Sequence, residues 1–461
     1  MTTPTTAHPR LGDLVDALPD GAVLTDPDLV ETQSRDHTDT IAPGRAVAAV
    51  LATCVDDVVA AVKWADANDV PVVTRGAGSG LAGASTATDG CLVLSVSKMR
   101  DIEINAHDFT ARVQPGAITA DVDAAAAEHG LMYAPDPSSL RMCSIGGNLA
   151  TNAGGLRCVK YGVTRAHVRD LTVVLPDGRV LKTGQQTVKG VSGLDLVGLF
   201  VGSEGTLGVI VEATVALLPR PVDEPTTILA GFADVGAAMD AVAEAMRTGL
   251  DPELMEFMDR NTLRAIDDWK GTDYSGYAGL LLAQVRGADG PERGARMAEC
   301  FESHGAVDVM VAETPAESDQ LVEIRRLGLP AIERMGHYLT EDMCVPRSAL
   351  STMMRRVDEI AADHGLTVYT CAHAGDGNLH PVFVWDDRPA TEIPPAVWAA
   401  AQEMFREALA LGGTLTGEHG VGTLKQTFLA EELGEVGVAV QRAVKAALDP
   451  KGLFNPGKAL A

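Results

Sequence analysis

The sequence RGAGSGLAGAS (75–85) lies between two short apolar stretches, VPVVTR (70–75) and CLVLSV (91–96). Both stretches are rich in β-branched residues and are typical of buried β-strands. Residues 78–83 spell G-x-G-x-x-G, which holds a nicotinamide dinucleotide when it opens a helix after a strand. Here only the polar stretch ASTATDG (84–90) precedes the next strand. A helix is therefore not expected, and the pattern does not favour a nicotinamide site.

A loop of small residues can still hold a pyrophosphate. Without side chains in the way, consecutive backbone N–H groups can approach the phosphates, and Arg75 stands at the start of the loop. A second stretch of this kind comprises APDPSS (134–139) and CSIGGNLATNAGG (143–155). Each loop alone is equally consistent with a tight turn. Together they favour an extended dinucleotide that lies along one domain.

Length and composition indicate a globular protein. A chain of 461 residues is expected to form two domains, or one domain and a cap. Its formal net charge of −26 disfavours nucleic acids and anionic lipid surfaces as partners. No apolar run is long enough for a membrane helix, and the N-terminus does not resemble a signal peptide, so we expect a cytoplasmic protein. The seven cysteines include no C-x-x-C pair, which argues against disulfides, structural zinc and iron–sulfur clusters.

Turn and linker signals divide the chain further. LTVVLPDGRVLKT (171–183) predicts a β-hairpin that turns at Pro-Asp-Gly. LLPRPVDEPTT (217–227) combines prolines and charges with a break in the apolar pattern, and it predicts a linker. The segment LDPKGLFNPGKAL (448–460) is expected to pack back on the first domain.

The two glycine blocks, together with GSEGTLGVI (202–210), resemble the FAD domain of the vanillyl-alcohol-oxidase superfamily, also called the PCMH type. The most similar branch contains glycolate oxidase subunits and FAD-dependent D-lactate and D-2-hydroxyglutarate dehydrogenases. The resemblance extends from about residue 35 to Pro456. It implies an α+β fold, with an FAD-binding domain of two α+β subdomains (1–220). A cap domain with an antiparallel sheet covered by helices (221–415) and a returning C-terminal segment (416–461) are expected to follow.

The resemblance also implies which residues contact FAD: Arg75, Gly76, Ala77, Gly78, Ser79, Gly80, Leu81, Pro137, Ser138, Gly146, Gly147, Thr151, Asn152, Gly154, Gly155, Gly205, Ile210 and Asn455. Some relatives attach the flavin covalently to a histidine in the first glycine loop. This loop contains Ser79 and no histidine, so FAD is expected to bind without a covalent link.

HAGDGNLH (373–380) joins two apolar stretches through a Gly-Asp-Gly-Asn turn. A hairpin of this kind would place His373 and His380 side by side, as in half of a metal site. The two histidines alone are equally consistent with a role in stabilising the turn. TGEHGVG (416–422) adds Glu418 and His419 between glycines. The resemblance assigns His373, His380 and Glu418 to a divalent cation, and zinc and manganese both suit this set of ligands.

A 2-hydroxy acid can chelate such a cation through its carboxylate and hydroxyl oxygens. Chelation lowers the pKa of the hydroxyl, and His419 is the candidate base that removes its proton. Arg325, in EIRRLGLPA, matches the carboxylate-binding arginine of the family, although a slip of one residue to Arg326 is possible. Asn378 is a further candidate for substrate contact.

Relatives that oxidise D-2-hydroxyglutarate place a lysine before the strand that ends in proline, where it binds the second carboxylate. The corresponding stretch HYLTEDMCVP (337–346) contains Thr340, Glu341 and Asp342 instead. A dicarboxylate is therefore disfavoured, and D-lactate is the favoured substrate.

Other functions stay open at this point. The chain could be a glycolate oxidase subunit, active or merely FAD-binding, a D-2-hydroxyglutarate dehydrogenase, or a metal-dependent hydrolase that uses the same histidines. As a dehydrogenase it requires a separate electron acceptor, such as a quinone, a cytochrome or an electron-transfer flavoprotein. A homodimer is possible.

Overall fold

The structure is a computed structural model that describes residues 8–460. Its strands are β1 Val23–Leu24, β2 Ala48–Leu51, β3 Val72–Arg75, β4 Leu92–Ser95, β5 Ile102–Asn105, β6 Thr110–Val113, β7 Leu131–Met132, β8 Val168–Val174, β9 Val180–Gly184, β10 Val209–Ala216, β11 Leu218–Pro219, β12 Thr226–Phe232, β13 Leu254–Asp259, β14 Gly279–Val285, β15 Ala306–Val311, β16 His337–Thr340, β17 Met343–Cys344, β18 Tyr369–His373 and β19 Asn378–Trp385. Its α-helices are α1 Leu11–Ala17, α2 Pro27–Glu31, α3 Val55–Asn68, α4 Thr119–Ala127, α5 Ile145–Thr151, α6 Cys158–Tyr161, α7 Val197–Phe200, α8 Val235–Arg247, α9 Arg260–Lys270, α10 Gly290–Ser303, α11 Pro315–Arg326, α12 Gly328–Glu333, α13 Leu350–Asp363, α14 Pro395–Ala410 and α15 Leu429–Leu448, the last kinked at Gly434.

The chain forms two compact units and passes between them more than once. The first unit runs to Ala153, includes Val163–Arg220 and resumes at Glu418. The second comprises Gly154–Gly162 and Pro221–Gly417. The junction at Arg220 lies inside the predicted linker, whereas Gly154–Gly162 groups with the second unit and not with the predicted first domain. Residues 1–7 and 461 of the predicted domains lie outside the described residues.

The first unit contains two sheets with separate cores. In the first sheet, of order β1-β2-β4-β3, strands β2, β4 and β3 are parallel and β1 is antiparallel to β2. Helix α3 connects β2 to β3 and buries Val58, Val62 and Ala65 in the core of this sheet. The second sheet, of order β5-β6-β10-β8-β9, is antiparallel and has its own core.

Local predictions agree with these elements. The strands predicted at 70–75 and 91–96 are β3 and β4, and residues 76–91 between them contain no helix, as expected. The hairpin predicted at 171–183 is formed by β8 and β9. Its turn contains Gly178 at a φ of 80°, a left-handed conformation that favours glycine.

The second unit is built on one antiparallel sheet of order β15-β12-β14-β13-β18-β19-β16, with β17 also paired to β19. Every residue of β14 is buried, so helices cover both faces of the sheet. Helices α9, α11 and α12 share one core with the central strands, and α8 and α10 contact β12 and β14. The predicted α+β fold, including the antiparallel sheet covered by helices, is confirmed.

The short segment Gly154–Gly162 is held in the second unit by a buried carboxylate. Leu156 joins the core of the second unit, and the Tyr161 hydroxyl donates a hydrogen bond of 3.2 Å to Glu253. Burial and the adjacent Glu253 raise the pKa of Tyr161 to about 12. Arg286 pairs with the same carboxylate at 2.8 Å. Among the helices of residues 8–460, none is both long and apolar enough to cross a bilayer.

Candidate active site

The first glycine loop follows β3 and folds back on Arg75. Gly78 has a φ of 75°, and a Cβ atom there would overlap the Arg75 guanidinium. The same guanidinium donates a hydrogen bond to the Arg35 carbonyl oxygen. The carbonyl of Gly80 accepts hydrogen bonds from the backbone of His37 at 3.1 Å and from the Thr38 hydroxyl at 3.3 Å. Residues 35–38 therefore brace this loop, which is only partly buried.

The second glycine loop packs directly against the first. The Ser144 hydroxyl accepts the Ala77 N–H at 3.1 Å, and a Cβ atom on Gly76 would lie 2.5 Å from that hydroxyl and 3.4 Å from the Gly147 nitrogen. Gly146 is required for a different reason, because a Cβ atom there would overlap Pro115. The absence of side chains thus lets the two backbones approach, as a site for an extended dinucleotide requires.

The C-terminal segment closes this part of the first unit. The Asn455 amide donates hydrogen bonds to the carbonyls of Ala84, at 3.2 Å, and of Glu204, at 2.6 Å. Its Oδ1 atom is buried, and no described residue donates a hydrogen bond to it. Buried polar atoms are nearly always paired, so this atom needs a donor other than the residues 8–460 that the structure describes. The two glycine loops and this acceptor therefore fit a bound FAD.

Lys458 joins the C-terminal segment to the first glycine loop. It donates hydrogen bonds to the carbonyls of Ala84, at 2.9 Å, and of Thr86. Burial lowers its pKa to about 8.

The buried Glu204 holds the loop that carries His419. One carboxylate oxygen accepts the Val421 N–H at 2.9 Å, and the other accepts the Gly422 N–H at 2.8 Å. Burial raises the pKa of Glu204, while these N–H groups and two lysines lower it. Thr423 N–H donates to the Ala82 carbonyl at 2.9 Å, so the loop is also bound to the first glycine loop. Glu204 was not predicted from the sequence, although a charged residue between small residues in GSEGTLG was a signal.

The remaining predicted FAD contacts are spread over both units. Pro137 is buried, Ser138 is exposed, and Leu81 and Ile210 are partly buried. Thr151 and Asn152 end helix α5, where Asn152 adopts a φ of 54° and accepts the Arg165 N–H at 2.8 Å. A Cβ atom on Gly205 would overlap Thr74. Gly154 and Gly155 belong to the second unit. These contacts stay predictions.

In the second unit, β18 and β19 form the predicted histidine hairpin. His373 pairs with Asn378 and Cys371 pairs with His380, which places both histidines on one face. Their ring centroids are 5.1 Å apart at an interplanar angle of 85°. Both side chains are buried.

A buried carboxylate on the neighbouring strand β13 contacts His373. The His373 Nδ1 atom lies 2.8 Å from Glu256 Oε1 and 2.9 Å from Oε2. A carboxylate can only accept, so Nδ1 donates and the lone pair of the ring lies on Nε2. The second partner of Glu256 is Arg325, whose Nε atom forms an ion pair with Oε2 at 2.9 Å. The sequence analysis missed Glu256, whose signal is a charge inside the apolar strand LMEFMD.

The two candidate arginines lie in different environments. The Arg325 side chain is 7% exposed, whereas the Arg326 side chain is 45% exposed and pairs with Glu323 at 3.5 Å. Arg325 therefore lies in the cluster that contains His373, and Arg326 lies on the surface of helix α11.

A second buried carboxylate, Asp342, lies near His380. Its Oδ1 atom is 3.7 Å from His380 Nδ1 and accepts the Asn378 amide at 2.9 Å. Its Oδ2 atom accepts the Thr416 hydroxyl at 2.5 Å, and its carbonyl accepts the Gly417 N–H at 3.0 Å. Asp342 therefore fixes the backbone immediately before Glu418. Asn378, a predicted substrate contact, uses its amide group to hold Asp342 and the Met343 carbonyl.

Two family models match the chain. The model for the C-terminal domain of FAD linked oxidases matches residues 223–459, and an FAD binding domain model matches residues 46–184. Together they extend over most of both units.

Similar proteins include the glycolate oxidase subunit GlcD of Bacillus subtilis, which is 43% identical over 85% of this chain and 84% of its own length. The D-lactate dehydrogenase of Anaerostipes hadrus is 33% identical over 95% of this chain and 94% of its own. A solved structure of p-cresol methylhydroxylase with substrate bound superposes with a TM-score of 0.81 at 18% identity, over 98% of this chain and 96% of that protein. At this identity the last similarity shows the fold alone.

Proposed function

Since the chain belongs to the FAD-linked oxidase family and is an FAD-dependent oxidoreductase, we propose that it oxidises a short D-2-hydroxy acid, with D-lactate favoured, to the 2-oxo acid. One observation carries the proposal. In a buried cluster of the second unit, the His373 imidazole and the Arg325 guanidinium both contact Glu256, and the His380 imidazole lies beside that of His373. A metal-binding histidine pair beside an arginine suits a ligand that carries both a hydroxyl and a carboxylate.

The residues of the first unit fit FAD without a covalent link. The glycine loops would accept the pyrophosphate, and Ser79 stands where covalent attachment would need a histidine. When bound, FAD supplies an acceptor for the hydride that leaves C2 of the substrate. The family assignment leaves the alternative of a metal-dependent hydrolase without support, because hydrolysis needs no flavin.

His373, His380 and Glu418 would hold a divalent cation, zinc or manganese. The Nδ1–H of His373 is directed to Glu256, which leaves Nε2 as the donor atom for a metal. Glu418 follows Gly417, whose N–H donates a hydrogen bond to the carbonyl of Asp342, and the Asp342 carboxylate lies 3.7 Å from His380 Nδ1. The cation would supply Lewis-acid polarisation of the substrate hydroxyl.

His419 and Arg325 then have separate tasks. Arg325 binds the substrate carboxylate, because a guanidinium fork matches a carboxylate better than an ammonium does. His419 takes the hydroxyl proton as the C2–H electron pair leaves. The loop of His419 is held by Glu204 through two backbone hydrogen bonds, which supports a fixed position for this base.

The surroundings of Asp342 favour a monocarboxylate. This carboxylate is fully buried and is satisfied by Asn378 and Thr416. Glu341 beside it is also buried, so this stretch adds negative charge where a second substrate carboxylate would require a cation. The second candidate is glycolate, which has one carboxylate as well and occurs in the name of the Bacillus subtilis relative.

An anaerobic reduction experiment tests the proposal. The purified protein is mixed with D-lactate, L-lactate, glycolate and D-2-hydroxyglutarate in turn, and the loss of oxidised-flavin absorbance is followed. A second series monitors a dye acceptor in place of the quinone, cytochrome or electron-transfer flavoprotein that would reoxidise the protein. D-lactate is expected to reduce the flavin fastest. Fast reduction by D-2-hydroxyglutarate and none by D-lactate would contradict the proposal.

A further inference from the structure

We propose that Glu256 is a positioning residue that couples the two halves of the substrate site. Its single carboxylate orients both His373, the proposed metal ligand, and Arg325, the proposed carboxylate binder. The inference rests on the proposed function and extends it to a residue that contacts neither the substrate nor the metal.

The geometry of the carboxylate carries this inference. Glu256 Oε2 lies 2.9 Å from His373 Nδ1 and 2.9 Å from Arg325 Nε, so one oxygen atom serves both partners. Oε1 makes the second approach to His373, at 2.8 Å. The Glu256 side chain is 1% exposed, and its strand pairs on both sides, with β14 and with β18. It therefore cannot turn away from one partner without moving relative to the other.

Each contact has a chemical consequence for its partner. The bond to Nδ1–H fixes the His373 tautomer that presents a lone pair at Nε2, and a carboxylate in this position makes an imidazole a stronger ligand. The ion pair holds the charge of the Arg325 guanidinium beside Glu256 at 2.9 Å, although the Nε–H is not directed at the carboxylate, and so sets where the guanidinium lies relative to His373. Loss of Glu256 should therefore weaken metal binding and substrate binding together, although the residue belongs to neither site.

The chain offers a matched control in Glu253, three residues earlier. Its side chain is also 1% exposed, and it pairs with Arg286 Nε at 2.8 Å, but it contacts no histidine of the hairpin in the described part of the chain. Glu253→Gln therefore removes the charge of an equally buried glutamate that also pairs with an arginine. A general loss of stability should appear in both variants, whereas a specific loss at the substrate site should appear only in Glu256→Gln.

The test uses the flavin-loaded protein. Zinc affinity is measured by equilibrium dialysis without substrate, and KM and kcat for D-lactate are measured at saturating metal. For Glu256→Gln we expect zinc affinity to fall by about 10–100-fold and KM to rise more than kcat falls. Arg325→Lys should raise KM at unchanged zinc affinity, and Glu253→Gln should change neither. A Glu256→Gln protein that loses only one of the two properties, or neither, overturns the coupling.

Two further measurements keep the outcome decisive. If Glu256→Gln does not fold, Glu256→Asp retains the charge but is one methylene shorter, and it should weaken both properties, since the shortened carboxylate cannot reach both partners; loss of only one overturns the coupling here too. In the metal-free wild type, nitrogen NMR of labelled histidines should show His373 protonated at Nδ1, and protonation at Nε2 alone would overturn the inference. A wild type that no 2-hydroxy acid reduces refutes the proposed function. In that case zinc dialysis and the NMR spectrum still decide the role of Glu256 toward His373.

Discussion

The Glu204 carboxylate and the Gly422 amide are joined by a 2.8 Å hydrogen bond between residues 218 positions apart in sequence. The same carboxylate accepts the Val421 N–H, so the turn after His419 is held from both oxygens. Since Glu204 is buried, water cannot replace these bonds. The position of the proposed base is therefore fixed by a residue that is distant in sequence but in direct contact with its loop.

Glu204→Gln should loosen this turn. A glutamine offers one acceptor oxygen, and its NH2 group would face a backbone N–H, so one buried donor is left unpaired at a cost of about 1–3 kcal/mol. Hydrogen exchange at Val421 and Gly422 should become faster, and flavin reduction at saturating substrate should slow. Glu212→Gln, which removes a partner of the exposed Arg112, is the control. Unchanged exchange rates in Glu204→Gln would refute the assigned role.

Acid precipitation should release the FAD into the supernatant. Ser79 lies in the loop in which covalent relatives carry a histidine, and residues 75–85 contain no histidine. The measurement is the flavin absorbance of the supernatant and of the washed pellet. Flavin that stays with the pellet would show a covalent link.

Arg325→Lys should raise KM for D-lactate by about tenfold or more, with a smaller effect on kcat. A lysine keeps the charge but loses the two-pronged contact, and a hydrogen bond between charged groups contributes about 1.5–3 kcal/mol. Arg326→Lys is the matched control, because Arg326 is on the surface of the same helix. If only Arg326→Lys raises KM, the assignment is off by one residue.

Glu418→Ala and His419→Ala should have different phenotypes. Loss of Glu418 should lower the metal content of the dialysed protein, whereas His419→Ala should keep its metal and reduce its flavin about 10²–10⁴-fold more slowly. Removal of the metal with a chelator should abolish activity and leave the flavin spectrum largely intact, because separate loops are proposed to bind metal and FAD. Equal loss of metal in both variants would make His419 a ligand and not the base.

Asp259→Asn should stabilise the protein relative to wild type as pH rises. Asp259 caps helix α9 by accepting the Thr262 N–H at 2.7 Å, and its burial raises its pKa from 3.8 to about 7. Between these two pKa values the folded state binds a proton that the unfolded state has released. The stabilisation that this proton gives the folded protein is lost as pH rises through 7. A shift of ~3 pKa units corresponds to about 4 kcal/mol, and asparagine caps equally well without ionising.

The melting temperatures of Asp259→Asn and wild type should thus diverge between pH 4 and pH 8 in favour of the variant. Asp234→Asn, at the exposed cap of helix α8, controls for the substitution itself. If the melting temperature of Asp259→Asn differed from that of the wild type by the same amount at pH 4 and at pH 8, the assigned pKa would be contradicted.

Features whose residues lie close together along the chain could be predicted from the sequence alone. The histidine hairpin could be predicted because a four-residue turn brings His373 and His380 together whatever surrounds it. Glu256 could not be predicted, because its partner His373 lies 117 residues away and only the order of strands in the sheet makes them neighbours. The same limit applies to Asp342. From the sequence we expected this residue to place a negative charge near the substrate, whereas in the structure its carboxylate accepts hydrogen bonds from Asn378 and Thr416.

The segment Gly154–Gly162 shows a different limit. Its glycines continue the pattern of the second glycine loop, so nothing in the local sequence separates them from it. The division arises because Tyr161 and Leu156 find their partners, Glu253 and a buried core, in the second unit. Tertiary contacts of this kind leave no periodic signal in the sequence.

The hydrogen bond from Lys458 to Ala84 joins residues 374 positions apart. During translation, a ribosome that adds ~5–20 residues per second needs about 20–75 s to synthesise the intervening chain. For that time the first glycine loop lacks the contacts of Lys458 and Asn455, while the whole second unit is synthesised. If these residues belong to the FAD site as proposed, the nascent first unit cannot complete that site early. We therefore expect flavin to bind late in the biogenesis of this protein, and a ribosome that stalls before residue 455 to leave a chain with an incomplete flavin site.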